Sequence, residues 1–180
     1  MRIILILNKI KMKNIFIFLA ICIFHFNTAN AQTEKMESVF IYQFVSKYIE
    51  WPATDKSGDF IIGILGSSPI ESELNTMAAS KTVGSQKIVV KKYASVGEMG
   101  KCHVIYVPSS KKGSLGEVKG KIGGNSTLIV SSCDGGAKAG SAINFVTVDG
   151  KLKFELNKAN AKSQKLNVAD ALSQLAILVN

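Results

Sequence analysis

The chain has 180 residues, of which 22 are basic and 13 acidic, and a formal net charge of +9. The basic residues occur singly and in pairs such as Lys91-Lys92, without interleaved aromatic residues, so we expect no nucleic-acid site. His103 is the one histidine after residue 31, too few to complete a transition-metal site, and we predict no metal and no cofactor.

The first 31 residues have the pattern of a secretory signal peptide. Three lysines precede an apolar run over residues 15–26, and Ala29-Asn30-Ala31 supplies a small-residue cleavage site, so we predict cleavage after Ala31. The apolar run is shorter than the roughly 20 residues of a membrane anchor. Cleavage leaves 18 basic and 13 acidic residues, a net charge of +5, in one domain over residues 32–180.

Glu34 to Trp51 is predicted to be an amphipathic helix that faces the core and ends at Trp51-Pro52. Its apolar stripe repeats at helical spacing: Met36, Phe40, Ile41, Phe44, Val45, Tyr48 and Ile49. Glu37 is predicted to lie off this stripe.

Four short apolar runs then read as buried strands: 60–66, 87–91, 103–108 and 127–131. A helix over 70–79 follows the first of them. The last predicted element is a helix from Val168 to Val179 capped by Asn167, with Leu172, Leu175, Ala176 and Val179 inward. Alternating strands and crossovers predict a single three-layer α/β domain: a mostly parallel sheet flanked by helices, with an antiparallel hairpin near the C-terminus.

The hairpin spans residues 143–157, where two alternating strands flank Asp149-Gly150. This dipeptide favours a two-residue turn, which pairs Val148 with Lys151, Phe145 with Phe154 and Asn144 with Glu155. The resulting apolar face carries Ile143, Phe145, Thr147, Leu152, Phe154 and Leu156. The other face carries Asn144, Val146, Val148, Lys151, Lys153, Glu155 and Asn157.

Glu155, opposite Asn144 and near Lys153 and Asn157, forms a compact charged patch on this second face. The residues alone favour a solvated surface, with Asn157 capping a short helix that begins at Lys158.

Nucleophilic chemistry is not expected. Cys102 and His103 are adjacent on a strand, so their side chains point to opposite faces. Cys102 precedes the third strand and Cys133 follows the fourth, which places them at opposite ends of a parallel pair, beyond disulfide reach. We therefore predict unpaired cysteines, no catalytic residues and no enzymatic activity.

Two glycine-containing loops follow strands. The loop at Gly63–Pro69 lacks the spacing and the lysine of a phosphate loop, which favours tight strand-to-helix packing. The loop at Cys133–Ser141 is predicted to be flexible and lies at the sheet edge where α/β proteins often bind ligands. It leaves open a second function, a periplasmic small-molecule binding protein that feeds a sensor kinase.

The order and spacing of several segments over residues 35–179 resemble the YfiR family. The matching segments are 47–52 (KYIEWP), 60–66 (FIIGILG), 81–84 (KTVG), 102–107 (CHVIYV), 143–145 (INF) and 153–157 (KFELN), with Ala159 and Leu166 following. This resemblance implies an exported α/β protein of the periplasm that represses an inner-membrane diguanylate cyclase by binding its periplasmic domain. It also implies that an outer-membrane lipoprotein can sequester the repressor.

Carried over by position, the resemblance implies that Glu155 contacts the membrane partner, with Asn144, Lys153 and Asn157 beside it. The chain departs from the family pattern at Ser141, where a second glycine is common, and at Lys153, where arginine is common. Lysine lacks the planar bidentate contact that arginine makes with a carboxylate. The second cysteine of each pair that gives family members redox control is not evident. Whether dimers form is left open.

Overall fold

The computed structural model describes residues 32–180. It begins with helix α1, residues 32–43, which continues as a π-helical turn over Phe44–Tyr48. The chain becomes extended at Ile49, so the helix ends before the predicted Trp51, and strand β1 occupies Ile49–Glu50. The predicted signal peptide lies outside the described residues.

The remaining elements alternate as the sequence predicts. The strands are β2 Phe60–Leu65, β3 Thr82–Val83, β4 Gln86–Tyr93, β5 Val104–Pro108, β6 Leu128–Ser132, β7 Ile143–Val148, β8 Lys151–Leu156, β9 Asn167–Val168 and β10 Ile177–Leu178. The helices are α2 Ile70–Ala78, α3 Leu115–Ile122, α4 Gly136–Ala139, α5 Lys158–Ser163 and α6 Asp170–Leu175, with 3-10 turns at Ala53–Asp55 and Ser109–Ser114. Within residues 32–180, none of these helices has the length and apolar character needed to span a membrane.

Eight strands form one sheet in the order β10-β8-β7-β6-β5-β2-β4-β3, while β1 and β9 form a separate antiparallel pair. The five strands from β4 to β7 in this order run parallel, and only the β7–β8 and β3–β4 pairs within the sheet are antiparallel. The prediction of a single α/β domain with a mostly parallel sheet is confirmed.

Helices cover the sheet on both faces because its strands alternate between two apolar clusters. On one face, Phe44 of the π-helical turn, Leu74 of α2 and Leu172 of α6 belong to one buried cluster with Tyr106 and other strand residues. On the other face, Leu115, Val118 and Ile122 of α3 pack against Leu65, Ile105, Val107 and Ile129. Each fully buried aliphatic or aromatic side chain contributes about 1.5–3 kcal/mol to stability, so the two clusters hold the three layers together.

The β7–β8 hairpin has the register predicted from its turn. Phe145 pairs with Phe154, and Asn144 with Glu155. Asp149 and Gly150 both have positive φ, 52° and 70°, as a two-residue hairpin turn requires. The apolar face packs under the π-helical turn that follows α1, where the ring centroids of Phe44 and Phe154 are 4.8 Å apart.

The prediction of a long C-terminal helix is wrong. Helix α6 stops at Leu175, and β10 then pairs in parallel with β8, so that Ile177 lies opposite Glu155. Of the four side chains predicted to point inward, Leu172 is fully buried, whereas 64 % of Leu175 is exposed. Asn167 does not cap the helix and belongs instead to β9, opposite Glu50. The free edge of β8 offers backbone partners that outweigh the local helical pattern.

Candidate partner-binding site at the carboxyl edge of the sheet

The strand order reverses at β2. From β2 the chain crosses through α2 to β4 on one side, and later crosses from β5 through α3 to β6 on the other side. Because α2 and α3 pack on opposite faces, the loops after β2 and β5 diverge and leave a crevice between the carboxyl ends of these strands. Ligands of open α/β sheets bind in such crevices.

Two cavities occupy this edge, and together we name them the carboxyl-edge cleft. The narrow cavity, of about 210 Å³, lies between the loops after β2 and β5, and its lining includes Ser67, Ser68 and Ser110. The wide cavity, of about 520 Å³, lies beside β7. Only the first two residues of β7 pair with β6, so the rest of β7 extends beyond the end of β6. Both cavities are lined by Thr33, Glu37, Ser109 and Ser132, so they are continuous at α1.

Glu37 lies where the two cavities meet and is only 2 % exposed. The Tyr106 hydroxyl donates to its Oε2 at 2.7 Å, and the Ser132 hydroxyl donates to its Oε1 at 2.8 Å. Desolvation raises the pKa of Glu37, and the hydrogen bonds from Tyr106 and Ser132 oppose that rise without cancelling it. This carboxyl group ties α1 to the ends of β5 and β6.

The burial of Glu37 contradicts its predicted position off the apolar stripe of α1. The signal was present, because Glu37 precedes Ile41 by four residues and Phe44 by seven, and both are buried on the same helix face. A buried glutamate needs hydrogen-bond donors, and those of Glu37 are distant in the sequence. Because the sequence does not show these donors, the polar side chain was predicted to lie outside the core.

A chain of hydrogen bonds supports Glu155 from beneath the sheet edge. The Asn144 side chain donates from Nδ2 to Glu155 Oε2 at 2.8 Å. Its Oδ1 accepts from the Ser131 hydroxyl at 2.7 Å and from the Cys133 backbone N–H at 3.1 Å. Asn144 is fully buried, whereas Glu155 is partly exposed and lines the wide cavity. Asn144 therefore positions Glu155 and is not itself at the surface.

The loop at 133–141 is not the flexible connection predicted from its glycines. Helix α4 lies within it, and Gly136, Ala137 and Ser141 are buried. Asn160 donates from Nδ2 to the Ala137 carbonyl at 2.9 Å and to the Ser141 carbonyl at 3.0 Å. Side-chain amides satisfy the backbone carbonyls that a buried loop would otherwise leave unpaired, which explains how this loop is fixed in place.

Asn157 is buried, although it was expected on the polar face of the hairpin. Its Oδ1 accepts from the Asn160 backbone N–H at 3.0 Å, so the predicted cap of the helix at Lys158 is confirmed. Its Nδ2 donates to the Ala137 carbonyl at 3.2 Å. Like Asn144, it supports the loop from inside the protein.

Lys153 and Glu155 are the two residues of the predicted patch that reach solvent. They lie on the same face of β8, and β10 adds Ile177 beside Glu155. Leu175, Ile177 and Leu178 are 64 %, 39 % and 59 % exposed. Of these three, Ile177 lies beside Glu155, so the patch has an apolar neighbour. The sequence concealed this neighbour because residues 168–179 were predicted to form one helix.

His103 is a structural residue at the amino end of β5. Its Nδ1 accepts from the Ile61 N–H at 3.0 Å, so the ring proton is on Nε2, which donates to the Asp55 carbonyl at 2.9 Å. Burial lowers the pKa of His103, because desolvation disfavours the charged imidazolium. Protonation of Nδ1 would also place a second donor against the Ile61 N–H.

Cys102 and Cys133 are both buried and unpaired, and they lie at opposite ends of the parallel strands β5 and β6. Burial raises the pKa of the Cys102 thiol to about 12 and also raises that of Cys133. Thiolate formation is disfavoured at both positions. Among residues 32–180, no group of three or more histidine, cysteine, aspartate or glutamate side chains is arranged to hold a metal ion.

A protein-family model described as YfiR/HmsC-like matches residues 34–177. The chain belongs to this family. The resemblance read from the sequence is thereby confirmed over nearly all of the described residues. Membership of the YfiR/HmsC-like family suggests a periplasmic regulator of a diguanylate cyclase. A comparison with curated proteins gives no significant match.

Proposed function

We propose that this YfiR/HmsC-like protein is exported to the periplasm, where it binds and restrains an inner-membrane signalling enzyme, a diguanylate cyclase, and so controls cyclic-di-GMP output. The family match supports the kind of partner. The observation that carries the proposed contact is the geometry of Glu155, a partly exposed carboxylate held by the buried Asn144 at 2.8 Å.

A regulatory contact needs a side chain that is accessible and yet fixed in position. Glu155 meets both conditions, because one oxygen is bonded to Asn144 and the residue takes part in no ion pair within residues 32–180. The exposed apolar side chain of Ile177, which lies opposite Glu155 on β10, adds area that is removed from water on binding. Lys153, exposed on the same strand face, extends the contact.

We infer that the protein is not an enzyme. Its one histidine in the described chain is engaged by Ile61 and Asp55, and both thiols are buried with raised pKa values. These groups lack the accessible nucleophile and positioned base that covalent catalysis uses. The proposal therefore assigns the protein a binding role.

The Glu155→Lys variant tests the proposed contact. In the source cell with its own gene deleted, we expect the wild-type gene to restore low cyclic-di-GMP and the variant to leave it high. Asp59→Lys is the matched control: it makes the same change of charge at an exposed residue before β2, at the amino edge of the sheet. Normal regulation by a folded Glu155→Lys protein would refute the contact.

A photo-crosslinking amino acid at Lys153 identifies the partner directly. We expect a crosslinked product that contains an inner-membrane protein with a cytoplasmic cyclase domain. The same amino acid at Lys87 should not give that product, because Lys87 is exposed on β4, which lies near the other end of the sheet from β8. Equal crosslinking from both positions would indicate nonspecific proximity.

A second candidate function is small-molecule binding that feeds a sensor kinase. The narrow cavity at the strand-order reversal favours it, because it is about 210 Å³ and lined by serines. A thermal-shift screen with periplasmic metabolites separates the two functions, since a ligand at 100 times its dissociation constant adds about 2.7 kcal/mol of stability. A stabilising metabolite together with normal regulation by Glu155→Lys would favour this alternative.

A further inference from the structure

The proposed export of the protein creates a new chain end at a reactive residue. Cleavage after Ala31 makes Gln32 the first residue of the exported chain. The α-amine of an N-terminal glutamine and the amide carbon of its own side chain are separated by the atoms of a five-membered ring. An intramolecular reaction between two groups held this close is strongly favoured over the same reaction between separate molecules.

The structure leaves the side chain of Gln32 free for this reaction. Gln32 is exposed and lies in α1. It lines an open groove of about 640 Å³, together with Met36 and Val39, which are 43 % and 50 % exposed. Within residues 32–180, no hydrogen bond engages the Gln32 side chain. Neither burial nor a bonded partner in this part of the chain holds the amide away from the backbone nitrogen of its own residue.

The product of the reaction, pyroglutamate, suits the first position of a helix. Its five-membered ring resembles that of proline, which is favoured at the first helical position. A free amine would instead place a positive charge at the positive end of the macrodipole of α1. The same dipole favours the unprotonated amine, which is the nucleophile, over an ammonium group with an ordinary pKa of about 7.7–8.0.

The new chain end lies next to the carboxyl-edge cleft. Thr33 lines both cavities of the cleft, and so does Glu37, one turn further along α1. The wide cavity also includes Glu155. A free amine at residue 32 would therefore place a positive charge one residue from the cavity that holds the proposed contact, whereas a lactam leaves this end of α1 neutral.

We propose that Gln32 is a modification site, which is converted to pyroglutamate after export. The α-amine nitrogen attacks Cδ of the side-chain amide, so that an N–Cδ bond forms and the Cδ–Nε2 bond breaks. Ammonia leaves with the proton that the amine gives up. Nothing is oxidised or reduced, and no co-reactant is consumed. This inference rests on the export in the proposed function and is independent of the proposed contact at Glu155.

The test is the intact mass of the protein, expressed in the source cell from its full coding sequence without an added tag. We expect the mass of residues 32–180 less one molecule of ammonia. We also expect no readable N-terminal sequence until a pyroglutamyl aminopeptidase is added. A chain that begins at Gln32 with a free amine would overturn the proposal, as would a chain that begins at any other residue.

The time of the reaction is tested by lysing fresh cells directly into acidic denaturant. Most of the protein should already carry the lactam in this sample. A cyclised fraction that is near zero in the fresh lysate and grows during storage would overturn the proposal, because the lactam would then form only after purification.

Gln32→Met is the matched variant, since methionine has an unbranched side chain of similar length without the amide. It should be cleaved at the same site, retain its full mass and give a readable N-terminal sequence. Loss of ammonia that persists in the Gln32→Met protein would place the reaction at another residue and overturn the assignment.

The modification and the proposed function fail independently. A free amine at Gln32 would leave the contact at Glu155 standing, because the mass measurement does not depend on cyclic-di-GMP output. Normal repression by Glu155→Lys would refute the contact whatever the state of Gln32. An intact chain that retains residues 1–31 would refute both the modification and the proposed export.

Discussion

Gly136→Ala is predicted to destabilise the protein by crowding the hydrogen bonds that support Glu155. A Cβ atom at this position would lie 2.5 Å from Asn144 Oδ1 and 2.8 Å from Asn144 Cγ, and it would also overlap the Ser131 hydroxyl. The crowded atoms are buried side chains at the end of the sheet, which cannot swing into solvent. The added methyl group must therefore displace Asn144 or move α4.

The magnitude follows from these contacts. Overpacking a buried site costs about 1–3 kcal/mol. Displacing the Asn144 amide also weakens its bonds with Ser131 and the Cys133 N–H, each worth about 1 kcal/mol. Allowing for partial relaxation, we expect a total loss of about 2–4 kcal/mol. For a domain of this size, that lowers the melting temperature by roughly 5–15 °C.

Urea unfolding followed by fluorescence measures this loss. Trp51 is the single tryptophan, is 6 % exposed and donates from Nε1 to the Ser126 carbonyl at 2.9 Å, so it reports the transition. Gly120→Ala is the matched control, because it lies in α3 with nothing within 4 Å of a new Cβ. It should stabilise by about 0.5–1 kcal/mol. A Gly136→Ala protein at least as stable as wild type would refute the packing argument.

Three further predictions concern buried titratable groups. The pKa of Glu37 is raised in the folded state, so its stabilising contribution is complete below pH 4.5 and is lost as the pH rises through the folded pKa. Glutamine does not titrate, so the Glu37→Gln protein should gain stability relative to wild type as the pH rises from 4 to 7. The pKa of His103 is lowered, so its contribution to the free energy of unfolding is present above pH 6.5 and is lost as the pH falls through the folded pKa. His103→Gln should therefore be less stable than wild type at pH 7.5, and this difference should shrink as the pH is lowered to 5. Unfolding curves of each variant and of wild type, measured across these pH ranges, check both predictions. A difference in unfolding free energy that stays constant with pH would contradict the prediction for that variant. Alkylation of Cys102 and Cys133 should require denaturation, and non-reducing peptide mapping that recovers the two joined would contradict the unpaired state.

The sequence was sufficient where local chemistry determines structure. Asp149-Gly150 determined the hairpin turn, and with it every cross-strand pair from Ile143–Leu156 to Val148–Lys151. Apolar runs bounded by glycine and polar residues located the four central strands within one or two residues. These features depend on neighbours in the chain, which the sequence displays directly.

The sequence was insufficient where contacts between residues far apart in the chain determine the structure. Glu37 is bonded to residues 69 and 95 positions away, and neither the helical pattern nor composition reveals such partners. Asn144 alternates like a surface residue, but α4 and Ser131 bury it. The stretch after Ala176 looks helical until the unpaired edge of β8 is available to it. In each case tertiary contacts override local preference.

The bonds around Asn144 join fold and proposed function in one set of atoms. Its Oδ1 fixes the end of β6 through Ser131 and Cys133, and its Nδ2 holds Glu155. The hydrogen bonds of Oδ1 and the hydrogen bond of Nδ2 depend on the same orientation of the buried amide, so one set cannot be lost without disturbing the other. A substitution at Asn144 would therefore change stability and binding together and could not separate them. Glu155 has one bonded oxygen and a partly exposed side chain, so changing Glu155 alters the surface offered to a partner and leaves the Ser131 and Cys133 bonds intact.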